Sequence, residues 1–132
     1  METILFVCVE NAGRSQMAEA FFRKFLPQGF EPVSAGTNPS SKINPMVMEV
    51  MGEVGIDLGN QIPKEISPQM IQKSIKAVNM GCIDKKSCPA LFMNGIEDWQ
   101  IPDPKGKQIE EVRKIRDEIE IKVKQLIEKI QK

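Results

Sequence analysis

The chain has 132 residues, 41% hydrophobic and 27% charged, which suits one globular domain over residues 1–132 with a core that needs no metal or disulfide staples. Its 18 basic and 18 acidic residues cancel, so no overall field draws it to nucleic acid or to an acidic membrane surface. It has no histidine and no tyrosine, which excludes Ser-His and Cys-His catalysis and every imidazole zinc site and leaves acid–base work to Asp, Glu, Lys or Cys.

Ile4 to Val9 is a short, continuous apolar run that reads as a buried parallel strand. A loop of small and polar residues follows, Glu10-Asn11-Ala12-Gly13. Ser15 to Leu26 then reads as a helix with Met17, Ala18, Phe21, Phe22 and Phe25 on one face, stopped by Pro27 and Gly29. Phe30 to Ala35 is a second strand, with Pro32 marking an irregular start or an edge. Asn44-Pro45 reads as the cap and first turn of a second helix that ends at Gly55, and Ser67-Pro68 repeats that signal for a third helix to about Ser74. Ile75 to Met80 is a third strand, and Trp99 to Ile101 a fourth. Between them, Gly81 to Pro89 is a polar loop. Asp103-Pro104-Lys105-Gly106 is a turn. Lys107 to Gln131 is one long amphipathic helix with Ile109, Val112, Ile119, Val123, Leu126 and Ile130 along its stripe and a solvated, charged outer face.

This alternation predicts an α/β fold, a three-layer α/β/α sandwich around a four-stranded parallel sheet. No apolar run approaches the roughly 18 residues of a membrane span, and the opening Met1-Glu2-Thr3-Ile4 has no signal-peptide character, so a cytoplasmic location is expected. In that reducing compartment Cys8, Cys82 and Cys88 are expected to be thiols, either inert or reactive.

The segment with most chemistry is Cys8-Val9-Glu10-Asn11-Ala12-Gly13-Arg14-Ser15, a Cys-x5-Arg-Ser pattern between a predicted strand and a predicted helix. There, the backbone N–H groups of residues 9 to 15 can converge on an oxyanion, with the helix N-terminus adding its positive end. Cys8 would sit in that field beside Arg14, a setting in which cysteine pKa values fall to about 3.5–7.5. Arg14 offers a planar fork for two oxygens of a tetrahedral anion. Ser15 can donate to the sulfur, Asn11 tolerates left-handed backbone angles, and Gly13 permits close approach. Asp103 follows the fourth predicted strand, at the carboxyl end of the sheet, and is the candidate proton donor to a departing oxygen; the plainer reading is a turn starter. Cys82 and Cys88 flank Lys85 and Lys86, which favour thiolates. They read as a metal pair, as spare thiols, or as the second and third members of a thiol relay, and three cysteines without histidine suit zinc poorly.

Cys8 to Glu19, CVENAGRSQMAE, resembles the phosphate-loop signature of low-molecular-weight protein tyrosine phosphatases and the arsenate reductases built on that fold. Ser34-Ala35-Gly36, Asn44-Pro45, the Cys82/Cys88 pair with Pro89, and Asp103-Pro104-Lys105-Gly106 match in the same order, almost to the end of the chain. Gln16 where phosphatases usually have Pro, Lys105-Gly106 where they usually present tyrosines, and the cysteine pair all favour the thioredoxin-coupled reductase branch. The resemblance implies attack of Cys8 on arsenate held by the loop and Arg14, proton donation by Asp103, a Cys8–Cys82 disulfide on arsenite release, a Cys82–Cys88 disulfide next, and a thioredoxin-like reductant. It implies no cofactor and a monomer with neither nucleic acid nor membrane as partner. One residue fewer separates the two later cysteines here than in the well-known bacterial members. Some members hold potassium near the loop. Here Gly59-Asn60-Gln61-Ile62-Pro63-Lys64 brings no acidic ligand to join Asn11 and Ser34, so no metal is expected, and Lys64 is a candidate for drawing anions or a plain solvated lysine. The alternatives are a phosphatase that needs only Cys8, Arg14 and Asp103, and a non-catalytic oxyanion or redox sensor.

Overall fold

The computed structural model describes residues 1–81 and 96–131, so the expected cysteine loop with Cys82, Lys85, Lys86, Cys88 and Pro89 lies outside the described residues. The elements are β1 (Glu2–Cys8), α1 (Arg14–Lys24), β2 (Phe30–Gly36), α2 (Pro45–Glu53), α3 (Pro68–Lys73), β3 (Ser74–Asn79), β4 (Glu97–Asp98) and α4 (Ile109–Ile130). The strands form a four-stranded sheet in the order β2-β1-β3-β4, parallel at every pairing.

The most apolar strand lies inside the sheet. Ile4, Leu5, Phe6 and Val7 are all fully buried, because β1 has a neighbour on each edge and helices over each face. Strand alternation divides them: Ile4, Phe6 and Cys8 pack with α1, α2 and α4, while Leu5 and Val7 pack with Ala35, Ala77 and the Met70 and Ile71 side of α3. Phe6 meets Phe22 edge-on at 6.0 Å between ring centroids and Trp99 at 5.9 Å. β2, with its proline, lies at the sheet edge, where a missing N–H costs least.

Both expected proline starts are present. Asn44 Oδ1 accepts from the Met46 amide at 2.9 Å, and Ser67 Oγ from the Met70 amide at 3.2 Å. α3 ends one residue sooner than expected, since Ser74 already opens β3 while its hydroxyl donates to Met70 O at 2.6 Å.

The fourth strand differs from its expected position. It is Glu97–Asp98, not Trp99 to Ile101. Trp99 and Ile101 are buried as that reading required, but the Ile101 amide bonds to Trp99 O at 2.8 Å. This three-residue turn bends the backbone out of the ladder just before Pro102, which has no N–H to continue it. The apolar alternation therefore reports burial there, not pairing.

The stripe of α4 includes Ile115, which the spacing analysis missed, and a charged residue, Arg116, only 8% exposed. Arg116 reaches α2, where Nη1 donates to Val50 O at 2.8 Å and Glu53 Oε1 at 2.9 Å, bringing a cation to the negative end of that helix. Arg113 grips the same Glu53 through Nε and Nη2. Its hydrogen bonds lead in holding the Glu53 carboxyl below the usual glutamate range, against desolvation and with Arg116 adding to them.

Glu97 ties β4 down in a similar way: Trp99 Nε1 donates to it at 2.6 Å, with Lys76 at 3.2 Å and Lys129 at 3.1 Å. Burial works against its charge, but the hydrogen bonds from Trp99, Lys129 and Lys76 outweigh burial and hold the carboxyl below the ordinary 4.5. A carboxyl depressed in the folded state stabilises the fold above its unfolded value and loses that contribution as pH falls through the folded value. Thermal unfolding followed from about pH 6 to about pH 3 is therefore expected to weaken with acid, and Glu97→Gln to flatten part of that fall while lowering stability at neutral pH. Replacing Phe6 by Ala removes the ring between Phe22 and Trp99 and is expected to cost about 3–5 kcal/mol in denaturant titration.

Candidate active site

Cys8 is the last residue of β1 and Arg14 the first of α1, so residues 9 to 13 cross from strand to helix at the carboxyl end of the sheet. The loop is pinned from behind through its carbonyls. Cys8 O, Val9 O, Glu10 O and Ala12 O accept from the amides of Thr37, Asn38, Ser40 and Asn44 at 3.3, 2.8, 2.9 and 2.9 Å. In a planar trans peptide the next N–H points the opposite way, so the amides of Val9, Glu10, Asn11 and Gly13 turn to the other side. That side is the sulfur's, as the Asn11 amide, 3.2 Å from Cys8 Sγ, demonstrates. These amides, with the first turn of α1, make a concave anion nest.

Two features allow this turn. Asn11 takes a left-handed φ of 52°, which its short amide side chain tolerates better than most. Gly36 lies behind the loop, where a Cβ would come 2.3 Å from Val9 O and 3.0 Å from Cys8 O and Asn11 N, so the loop seats against bare backbone.

Cys8 is 4% exposed, and its sulfur lies 2.8 Å from Ser15 Oγ. Ser15 Oγ in turn lies 2.7 Å from Asn11 Nδ2. Arg14 stands at the rim, with Nη1 donating to Ile101 O at 2.8 Å and Met80 O at 3.4 Å and Nη2 3.8 Å from Asp103 Oδ2. These carbonyls hold the guanidinium in place, and Arg14 lines the cavity beside the loop. Asp103 caps its own turn through the Lys105 amide at 3.0 Å, so the plain turn reading holds, and the same turn also brings the carboxylate to the site. Its side chain is 58% exposed. Lys105 Nζ pairs with Glu10 Oε2 at 3.0 Å across the rim. Cys8, Glu10, Arg14, Asp103 and Lys105 line a cavity of about 450 Å³ whose other walls include Ser40, Lys42, Ile43, Pro45 and Pro104.

A buried layer behind the loop went unread in the sequence. Gln16 Nε2 donates to Asn11 Oδ1 at 3.0 Å and Ile62 O at 3.3 Å, and the Lys64 amide donates to the same Asn11 oxygen at 2.9 Å. Glu19, 6% exposed on α1, accepts from the Ser34 hydroxyl, pairs with Arg23 at 3.1 Å and has Lys64 Nζ at 4.0 Å. Lys64 Nζ thus lies 4.0 Å from a buried carboxylate and 3.4 Å from Ile62 O, with its side chain one-third exposed. No spacing in the sequence marked this layer: Gln16 and Glu19 stand three apart on α1, which reads equally as a solvated face.

Cys8 thus lies at the floor of a strand–loop–helix turn with Arg14 at its rim. The family model described as low molecular weight phosphotyrosine protein phosphatase matches residues 3–132, and the chain belongs to that family. The arsenate reductase of Staphylococcus aureus strain Newman is 37% identical over 123 residues, covering 92% of this chain and 93% of that protein. A solved arsenate reductase in the phosphate-binding state superposes with a TM-score of 0.87 at 32% identity, covering 98% of this chain and 99% of that one. The Corynebacterium glutamicum thioredoxin-dependent arsenate reductase gives a TM-score of 0.81 at 34% identity, over 99% of this chain and 62% of that one. An arginine phosphatase from Geobacillus stearothermophilus gives 0.87 at 27% identity, over 99% and 94%.

An anion that binds only the folded chain raises its unfolding temperature with concentration. Millimolar phosphate is expected to stabilise the native chain in thermal unfolding, and Gly36→Ala, whose methyl displaces the loop, is expected to lose most of that increment.

Proposed function

We propose that the chain is an arsenate reductase working through a Cys8, Cys82, Cys88 relay restored by a thioredoxin-like reductant. The observation that carries this reading is the Cys8 sulfur, buried at the floor of the amide nest with Ser15 Oγ at 2.8 Å and the Asn11 amide at 3.2 Å, where an attacking thiolate is held beneath a bound oxyanion. Arsenate would be held by the amides of residues 9 to 15 and by Arg14. The Cys8 thiolate forms a sulfur–arsenic bond as one arsenate oxygen leaves as water, protonated from Asp103. The Cys82 thiolate then attacks the Cys8 sulfur. A sulfur–sulfur bond forms, the sulfur–arsenic pair passes to arsenic, and arsenite departs reduced by two electrons. Cys88 attacks Cys82 and frees the Cys8 thiolate, and the Cys82–Cys88 disulfide takes two electrons from an external dithiol.

Reduction is favoured over ester hydrolysis by the similarity to arsenate reductases, by a second and third cysteine with no task in hydrolysis, and by a cavity lining that, among the described residues, includes no aromatic side chain to stack on a phenyl ring. We place this enzyme in the cytoplasm, where cysteines are kept reduced. No helix among the described residues is long and apolar enough to cross a membrane. The reading is of one domain acting as a monomer without cofactor.

The test is arsenite production with a thioredoxin system, run beside aryl phosphate hydrolysis. The native chain is expected to turn over arsenate. Cys82→Ser is expected to stop after adduct formation, and Cys88→Ser to release one arsenite per chain and halt as the Cys8–Cys82 disulfide. Sustained turnover by Cys82→Ser, or aryl phosphate hydrolysis as the sole activity and indifferent to Cys82 and Cys88, overturns the relay.

A further inference from the structure

The hydrogen bond between Cys8 Sγ and Ser15 Oγ has two senses, since either atom can donate. If the sulfur donates it is a thiol; if the serine donates, the bond favours a thiolate. The buried layer behind the loop decides between them. A main-chain N–H can only donate, so the Asn11 atom facing the Lys64 amide is the carbonyl oxygen Oδ1. A main-chain carbonyl can only accept, so the Gln16 atom facing Ile62 O is the amino group Nε2, and that group also meets Asn11 Oδ1. Two independent main-chain groups thus fix both carboxamides. Asn11 Nδ2 is left facing Ser15 Oγ, where it can only donate. Among the described residues, the hydrogen-bond neighbours of Ser15 Oγ are Asn11 Nδ2 and Cys8 Sγ, and since the first can only donate, the hydroxyl proton has the sulfur as its acceptor.

We propose that Gln16 is a positioning residue: with the Lys64 main-chain amide it locks the Asn11 carboxamide so that the Ser15 proton is delivered to the Cys8 sulfur. Turned over, Asn11 would present its oxygen to Ser15, the hydroxyl would donate there, and the sulfur would keep its own proton. Gln16 is 1% exposed, and its Oε1 has no hydrogen-bond partner among the described residues. Its amino end alone is engaged, as expected of a side chain retained for what that end donates.

The proposal rests on Cys8 being the reacting cysteine, but its test does not use arsenate. Alkylation of Cys8 by iodoacetamide is followed against pH through the tryptic fragment 1–14, which contains no other cysteine. Gln16→Leu and Gln16→Met are neutral, so the charges of Arg14, Glu10, Lys42, Asp103 and Lys105 around the cavity, and of Glu19 and Lys64 behind it, are unchanged. Either variant is expected to raise the alkylation midpoint by about one pH unit or more, as Ser15→Ala does. In the Ser15→Ala background neither is expected to shift it further, because the path is already cut. The unbranched Met carries the test if the Leu variant does not fold. No shift in the folded single variant, or the same shift with and without Ser15, overturns the proposal. A chain that gives the expected shifts yet produces no arsenite leaves this inference standing and removes the proposed reaction instead.

Discussion

The site depends on one interaction: a sulfur at the end of the central strand, buried from water, receiving hydrogen bonds on sides the chain has prepared. A buried anion without donors is expensive, so a thiolate at this position would depend on the loop's amides and the Ser15 hydroxyl facing it. The loop holds that shape because its carbonyls are already committed to residues 37 to 44. An anion entering the nest displaces none of these bonds. In the proposed reaction the cradle would be built before the substrate arrives, the condition under which electrostatic stabilisation acts at little reorganisation cost.

The fold supplies this precision through its most rigid parts. β1 is hydrogen-bonded on both edges and buried on both faces, so Cys8 inherits the position of the best-fixed strand. Arg14 ties the start of α1 to Met80 and Ile101, the segments that follow β3 and β4, so rim and floor belong to one framework. Asp103 sits on a short turn beyond β4, with less to restrain it and with its side chain 58% exposed.

Much of this was legible in the sequence. The apolar run at residues 4 to 7 announced a central parallel strand, Asn44-Pro45 and Ser67-Pro68 announced two helix starts, and Cys-x5-Arg-Ser between strand and helix announced the nest. These are local signals with local causes. Three things were not legible. Trp99 and Ile101 alternate like a strand but turn after Trp99, because burial and ladder pairing leave the same apolar trace. Arg116 sits in an apolar stripe because it pairs with Glu53 and Val50 on a distant helix. Gln16 and Glu19 are buried polar residues whose partners, Ile62, Lys64 and Ser34, lie far along the chain, so no periodicity marks them.

The most direct test is the ultraviolet thiolate absorbance of the native chain less that of Cys8→Ser, followed against pH with and without phosphate. The account predicts a Cys8 thiolate already formed at neutral pH, titrating well below the ordinary thiol value of about 8.5 and responding to phosphate as the anion fills the nest. A difference signal that appears only near that ordinary value, indifferent to phosphate, would contradict it.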